Sequence, residues 1–414
     1  MQKIQELSGR GLCAAAALNE HRSASSTVHQ PILRIARTIS EVEDLRQVWT
    51  SWLCYPSSDI DFYLMKIRSS TQTLRPHVMV VYHNGLPVCM LVGRLDLKRL
   101  AVNIGYVRCY LPKARVLAFI RGGFLGKQSS ENCELLTRGI VDSLRSGEAD
   151  VAELKNVRVN SPLYCVVRSL PGFLCRDHVP VVNPHGSLRS VGTFEEFWNG
   201  LCRKHRHNLK RQARLFLRKF AAGMEIRCFW REDELERLIY DAEQVAKKTY
   251  QRTLGVGFAD SAGSRQQLKM AAERKWLRGY VMYIAHQPCA FIIGLQYRET
   301  LYTLFMGFDP KYSRFSPGSV LLMRCIQDAF TPSGPDRLLE IDLGPGDQRF
   351  KLAISNNQWQ EGTVGIFAPT PKGVLLNLIR TTHVIIARFA HGVLAETDLG
   401  KKTKRLWRAA LSRK

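Results

Sequence analysis

Apolar residues return at helical spacing from Val42 through Leu45 to Val48–Trp49, and Ser40 followed by Glu43 has the spacing of a capping box. Two short apolar runs, Val78–Tyr82 and Pro87–Gly93, then flank His83-Asn84-Gly85. Asn-Gly between such runs predicts a β-hairpin. Asn132–Leu144 reads as a helix and Val179–Val182 as a strand, in a connection near 170–190 punctuated by Gly172, Pro180, Pro184 and Gly186. Thr193–Phe220 reads as one helix. Strand Leu301–Phe308, helix Val320–Phe330 and strand Leu338–Leu343 follow, and apolar helical spacing returns over Val374–Val393.

The second half repeats the first. Val281–Ala285, His286-Gln287 and Pro288–Gly294 form another strand, turn and strand, and Pro87-Val-Cys-Met-Leu-Val-Gly93 parallels Pro288-Cys-Ala-Phe-Ile-Ile-Gly294. A tandem duplication accounts for both. Helices alternate with antiparallel hairpins, which predicts an α+β fold with mixed sheets rather than a doubly wound one. The division expected is a disordered segment over 1–30, a first domain over 31–190, a second over 191–370, and a basic helical tail over 371–414.

Composition narrows the class. With 414 residues, 45% of them hydrophobic, the chain is long enough for two packed domains. Its 11 cysteines form no CxxC pair, and most sit in apolar runs, as reduced buried thiols do. No metal-ligand spacing stands out, and no uncharged apolar run reaches about 18 residues, the length of a spanning helix. These features place the chain in the cytoplasm. The 60 Lys and Arg against 36 Asp and Glu give a net charge of +24, which calls for an anionic partner.

Candidate chemistry gathers at Phe305-Met-Gly-Phe-Asp-Pro-Lys-Tyr-Ser-Arg-Phe-Ser-Pro-Gly-Ser319 and the apolar helix after it. Ser316 suits an N-cap, Pro317 the first helical turn, and Gly318 a close approach of backbone to ligand. Free N–H groups at such a helix start bind phosphate, with Arg314 and Lys311 placed to add charge-assisted contacts. A plain, well-capped strand-to-helix turn would use the same residues.

The run Phe308-Asp-Pro-Lys-Tyr-Ser-Arg-Phe-Ser-Pro-Gly-Ser-Val-Leu-Leu resembles the signature YDPxYxxYSPGxLL of bacterial GNAT-type acyltransferases of the CelD-like class, associated with cellulose and exopolysaccharide synthesis. Ile341-Asp-Leu-Gly-Pro-Gly-Asp-Gln-Arg-Phe-Lys351 is similar to that class's YDFxxGDxxYK, and Phe197-Trp198 through Lys204, Arg206, Asn208, Leu209, Lys210 and Arg211 to its basic helix. The motifs keep their order over about 190–352. Relatives of the class, the FemAB-like transferases, hold two GNAT domains in one chain.

The resemblance implies acetyl-CoA or another acyl-CoA as donor, with pantetheine lying between two parted central strands. It implies a diphosphate site at Ser316, Gly318, Ser319 and Val320, with Arg314 nearby, although Pro317 and Ser319 depart from the commoner GNAT loop. Lys351 matches the lysine that faces the transferred group in the FemAB-like motif. A thioester needs an oriented acceptor, a proton acceptor and an oxyanion donor. Asp342 and Asp347, flanking Gly344-Pro-Gly346, are candidate bases, and a strand N–H is a candidate oxyanion donor. Tyr302 and Glu340 are further candidates.

The acceptor implied is an amine or hydroxyl on a sugar, nucleotide-sugar or polysaccharide precursor. Two alternatives stand beside it: an aminoacyl-tRNA-dependent transferase, and a non-catalytic module bound to membrane or nucleic acid. Arg203–Phe220 carries Arg203, Lys204, Arg206, Lys210, Arg211, Arg214, Arg218 and Lys219, and no acid falls between Phe197 and Met224. After Asp398 the tail adds Lys401, Lys402, Lys404, Arg405, Arg408, Arg413 and Lys414 around Leu406 and Trp407, a profile suited to an anionic inner-membrane surface as well as to simple solvation.

Overall fold

Twelve strands join edge to edge in the computed structural model, which describes residues 30–52, 55–104, 107–253, 257–331, 338–346 and 349–396. The first half supplies β1 (Ile32–Ala36), β2 (Thr73–His83), β3 (Leu86–Ile104), β4 (Val107–Gly126), β5 (Val151–Arg158) and β6 (Val181–Arg189). The second supplies β7 (Met224–Phe229), β8 (Leu277–Ile284), β9 (Gln287–Tyr297), β10 (Thr300–Phe308), β11 (Glu340–Pro345) and β12 (Asn357–Phe367). The spatial order is β1-β2-β3-β4-β5-β12-β6-β11-β10-β9-β8-β7. Read from either edge inward, this is the same sequence of strands, with a pseudo-twofold between β12 and β6. The last strand of each half crosses to lie beside the fifth strand of the other: β12 pairs with β5, and β6 with β11. The fold is α+β, two GNAT-like units in tandem sharing one mixed sheet.

Strand periodicity explains the burial on both faces. Met79, Val81, Leu91, Leu117 and Phe119 pack under helices Ser130–Arg145 and Pro162–Ser169, while Val78, Val80, Met90 and Val92 pack with Trp49, Ile60 and Tyr63 on the other side. In the second half Met282 and Ile292 meet Phe216, Leu321 and Cys325, and Val281, Phe291 and Ile293 meet Leu238, Ala242 and Leu268. Such two-sided burial is why the strands read as continuous apolar runs.

The Pro-to-Gly repeat has a packing cause. A Cβ on Gly93 would sit 2.6 Å from Phe119 Cδ1, and one on Gly294 would sit 2.9 Å from Leu301 Cδ1 and from the Tyr302 carbonyl oxygen. Each glycine lets the neighbouring fourth strand close in just where the parallel pair is about to part. Gly93→Ala and Gly294→Ala should each cost about 1–3 kcal/mol by overpacking, measured by urea unfolding.

Local expectations shift in four places. The first capping box is Thr38 with Glu41, because the helix begins at Ile39. The second hairpin turns on Ala285 and His286, at φ 47° and 62°, a left-handed pair made without the glycine that Asn84-Gly85 provides in the first. The expected helix 193–220 is two, Phe194–Gly200 and Arg203–Phe220, broken where Leu201 turns extended at φ −66°, ψ 141°. Pro184 and Gly186 are not loop residues; both lie inside β6, against Gln360 and Gln358 of β12. Residues 1–29 and 397–414 lie outside the described residues, including most of the segment expected to be disordered and the cationic end of the tail. Among the described residues no helix is long and apolar enough to cross a membrane.

Candidate active site

The fourth and fifth strands of each half run parallel only briefly. β10 and β11 pair from Thr300–Tyr302 to Glu340–Asp342 and then part. β4 and β5 pair from Val116–Phe119 to Val151–Leu154 and also part. Each parting opens a cleft. The second-half cleft is the larger, about 530 Å³, walled by Thr303–Phe308, Phe258, Gly318, Ser319, Phe350 and Lys351. The first-half cleft, about 250 Å³, is lined by Tyr55, Phe119–Phe124, Lys155, Asn156, Arg158 and Glu361.

The second cleft has three chemical features. The β9–β10 ladder slips between Thr303 and Phe305, so Leu304 has no partner on β9. Such a bulge re-aims the strand's backbone groups beside a site. At the cleft's far end the chain turns through Pro310–Phe315, where Asp309 accepts from the Lys311 N–H at 2.9 Å and from Lys248 Nζ at 2.7 Å. Ser316 then adopts φ 51°, ψ 52° and helix Pro317–Phe330 begins. Ser316 occupies the N-cap position, but in this left-handed conformation its side chain makes no capping bond. The Ser319 and Val320 N–H groups turn back to the Ser316 carbonyl at 3.0 and 3.3 Å, and the Ser316 N–H donates to Ser313. The Gly318 N–H has no acceptor among the described residues, and Gly318 and Ser319 face the cleft. Arg314 is exposed on the preceding turn.

Lys351, on the short helix Arg349–Ile354, forms part of the wall and donates to the Leu343 carbonyl at 2.6 Å. Burial pushes its ammonium pKa below the ordinary lysine value, and Arg121 adds to that, against the opposing pull of Asp342. Asp347 lies outside the described residues. Glu340 starts β11 and lies 3.9 Å from Arg189 in a loose surface ion pair.

Asp342 sits at the junction of the two clefts. Its Oδ1 accepts from His185 Nε2 at 2.8 Å and from the Gly344 N–H at 2.7 Å, and its Oδ2 from Arg121 Nη2 at 3.0 Å. Glu361 Oε2 lies 3.1 Å from His185 Nδ1, and Trp359 donates to Glu361 Oε1 at 2.8 Å while its ring stacks on His185 at 4.2 Å. Tyr55 and Tyr302 meet across the junction with ring centroids 5.4 Å apart. Burial would raise the Asp342 pKa, but the bonds from His185, Arg121 and Gly344 outweigh it and hold the carboxyl below its usual range. Burial would likewise lower His185, yet its two carboxylate neighbours hold it above the ordinary imidazole value.

Arg121, His185 and Glu361 had no mark in the sequence. They stand on β4, β6 and β12, far apart in the chain, and only the strand exchange brings them to Asp342. The basic helix Arg203–Phe220 lies beside the cleft: His205, Asn208 and Leu209 share a small cavity with Ser319 and Phe350.

Residues 203–352 match the family model described as the acetyltransferase (GNAT) domain, and the chain is an acyltransferase carrying that domain in its second half. The solved structure of FemX is similar in fold, with a TM-score of 0.54, 9% identity, 81% of this chain covered and 98% of that one. The C-terminal domain of a putative lysylphosphatidylglycerol synthetase from Agrobacterium fabrum gives 0.47 at 11% identity, over 82% of this chain and 95% of that one. A tandem GNAT protein from the clavulanic acid biosynthesis pathway gives 0.44 at 9% identity, over 82% and 99%. No curated protein matches the sequence.

Proposed function

We propose that the chain transfers an acyl group, acetyl or longer, from coenzyme A to an amine or hydroxyl of a sugar, nucleotide-sugar or polysaccharide precursor. The chemistry falls to the second unit, residues 191–370, and the first unit, 31–190, receives the acceptor. The observation that carries the reading is the β10–β11 cleft, which has a helix start at one end, a bulged strand along one wall and a half-buried amine on another.

The cleft fits the donor. Gly318 offers an unused N–H at a helix N-terminus, where the helix dipole favours a diphosphate, and a side chain there would narrow the approach. Cations of Arg203–Phe220 flank the same end. Bound acyl-CoA supplies an acyl carbon already activated toward attack. The chain's own residues then do the rest. The β10 bulge turns backbone N–H groups toward the developing oxyanion. Lys351, on the cleft wall, is the group placed to take the acceptor's proton when it is neutral, the direction in which burial draws it. Asp342 keeps its charge and its three hydrogen bonds, so it fixes Arg121, His185 and the Gly344 turn rather than receiving a proton itself.

Arg121, Lys155 and Arg158 in the first cleft favour an acceptor bearing phosphate or carboxylate. The motif at Phe308–Leu322 supports the CelD-like class of envelope and exopolysaccharide enzymes. The basic helix favours a second reading, an aminoacyl-tRNA donor. Calorimetry with acetyl-CoA, on protein treated with ribonuclease, separates the two. Saturable heat with a micromolar-range Kd, about −8 kcal/mol, is the expected result. Absence of heat at millimolar acetyl-CoA, with activity lost to ribonuclease, would sink the coenzyme A reading.

A further inference from the structure

The C-terminal helix, Pro371–Glu396, packs along one side on β3, on β12 and on the turn Phe173–Cys175. Leu376 and Val384 are buried there, Asn377 Nδ2 donates to the Leu174 and Arg176 carbonyls at 2.9 Å each, and Arg388 donates to the Pro180 carbonyl at 2.9 Å. The side turned to solvent is apolar. Leu375, Leu378, Ile385, Ile386 and Phe389 are 54, 61, 53, 58 and 75% exposed. At about 100° per residue these positions fall within one stripe roughly 100° wide, which between Leu375 and Phe389 also holds Thr382 and no charged residue, and meets its first acid at Glu396, in the last turn. Phe173 and Leu174, 69 and 61% exposed, stand on the turn that Asn377 holds.

The pseudo-twofold supplies a control inside the same molecule. After β6 come the short helix Phe194–Gly200 and then Arg203–Phe220, the long helix on that side of the pseudo-twofold. Its exposed positions are mostly cations, as a solvated helix face should be. A contiguous apolar patch of this kind marks an interaction site rather than an ordinary surface.

We infer that this stripe lies on an anionic membrane surface, helix axis parallel to the bilayer plane, apolar side chains at the acyl boundary. Past Glu396 and Asp398 the sequence carries Lys401, Lys402, Lys404, Arg405, Arg408, Arg413 and Lys414, with no further acid. Apolar contact and a cationic segment together are the two signals that stable peripheral binding requires. Anionic headgroups complement those charges. Pairing with a second copy does not, because it would bring together two chains of net charge +24 and two cationic ends.

The test is co-sedimentation of the full chain with phosphatidylcholine vesicles, with and without one third phosphatidylglycerol. Binding is expected on the anionic vesicles and little on the neutral ones. Ile385→Glu with Phe389→Glu should cut partitioning on the order of tenfold or more, while acetyl-CoA heat and melting temperature stay as in the unaltered chain, since both side chains are exposed. Lys401→Gln, Lys402→Gln, Lys404→Gln and Arg405→Gln together should cut it comparably and weaken its salt dependence. Anionic-vesicle binding that is unchanged in the Ile385→Glu, Phe389→Glu chain overturns the inference, because adsorption would then be charge alone. So does absence of vesicle binding with a dimer in analytical centrifugation that the same pair of substitutions dissolves.

Discussion

Gly318→Asp should weaken acyl-CoA binding about 100-fold or more without weakening the fold. Gly318 holds the second position of helix Pro317–Phe330, and its N–H has no acceptor among the described residues. A carboxylate in a helix's first turn is favourable to the helix by about 0.3–1 kcal/mol. The added Cβ would approach Phe308 Cδ1 to 3.3 Å, a strain that the half-exposed ring relieves by a small shift. Stability should therefore stay near that of the unaltered chain. Toward a diphosphate the same carboxylate acts in the opposite sense: like charges about 4 Å apart repel by up to roughly 4 kcal/mol near a protein surface, less as salt screens them. A loss of about 100-fold or more in affinity is the expected calorimetric result. Gly318→Asn matches the size without the charge and should lose far less. Unaltered affinity in Gly318→Asp would place the diphosphate elsewhere and remove the ground for the donor site.

That helix start was legible because every residue forming it is consecutive. Phe308 to Val320 carries the strand end, the turn and the N-terminal helix positions in one run, so local rules were enough. The tandem fold was legible for a related reason: Gly93 and Gly294 end matching apolar runs of the sequence, and each is needed for the close pass of a neighbouring strand. The centre of the molecule was not. Arg121, His185, Asp342 and Glu361 come from four strands, and the exchange of β6 and β12 between halves leaves no period in the sequence. Pro184 misled because it lacks a ladder donor and usually ends a strand. Here its carbonyl accepts from the Gly346 N–H at 2.8 Å, so the residue contributes as an acceptor in a place where no donor is needed. The apolar spacing of Leu375, Leu378, Ile385 and Phe389 was visible as well. Spacing alone does not say which side of a helix faces the core, and the structure turns these four outward.

Asp342→Ala should be the most damaging single change at the junction. The carboxylate is 4% exposed and answers Arg121 and His185, on strands from the other half of the chain. Removing it leaves the half-buried Arg121 guanidinium and the buried His185 ring with Glu361 as their remaining carboxylate neighbour among the described residues, and breaking a buried pair typically costs about 3–5 kcal/mol, less to the extent that Arg121 reaches solvent. Asp342→Asn keeps an acceptor for the Gly344 N–H and should lose less. Adding Arg121→Ala to Asp342→Ala should cost less than the two separate losses combined, since the stranded cation goes with its partner. The pH profile carries the same information. Asp342 has a lowered pKa in the folded chain, so its contribution is complete above the ordinary carboxylate value and fades as pH falls through the folded one. His185 is raised, so its contribution is complete below the ordinary imidazole value, about 6.5, and fades as pH rises through the folded one. Urea midpoints of the unaltered chain should thus peak between those limits, near pH 5–6.5 as far as this cluster is concerned. In Asp342→Ala both flanks should flatten. A variant that kept the unaltered profile, or lost less than about 1 kcal/mol, would show that the two halves are held together without this cluster.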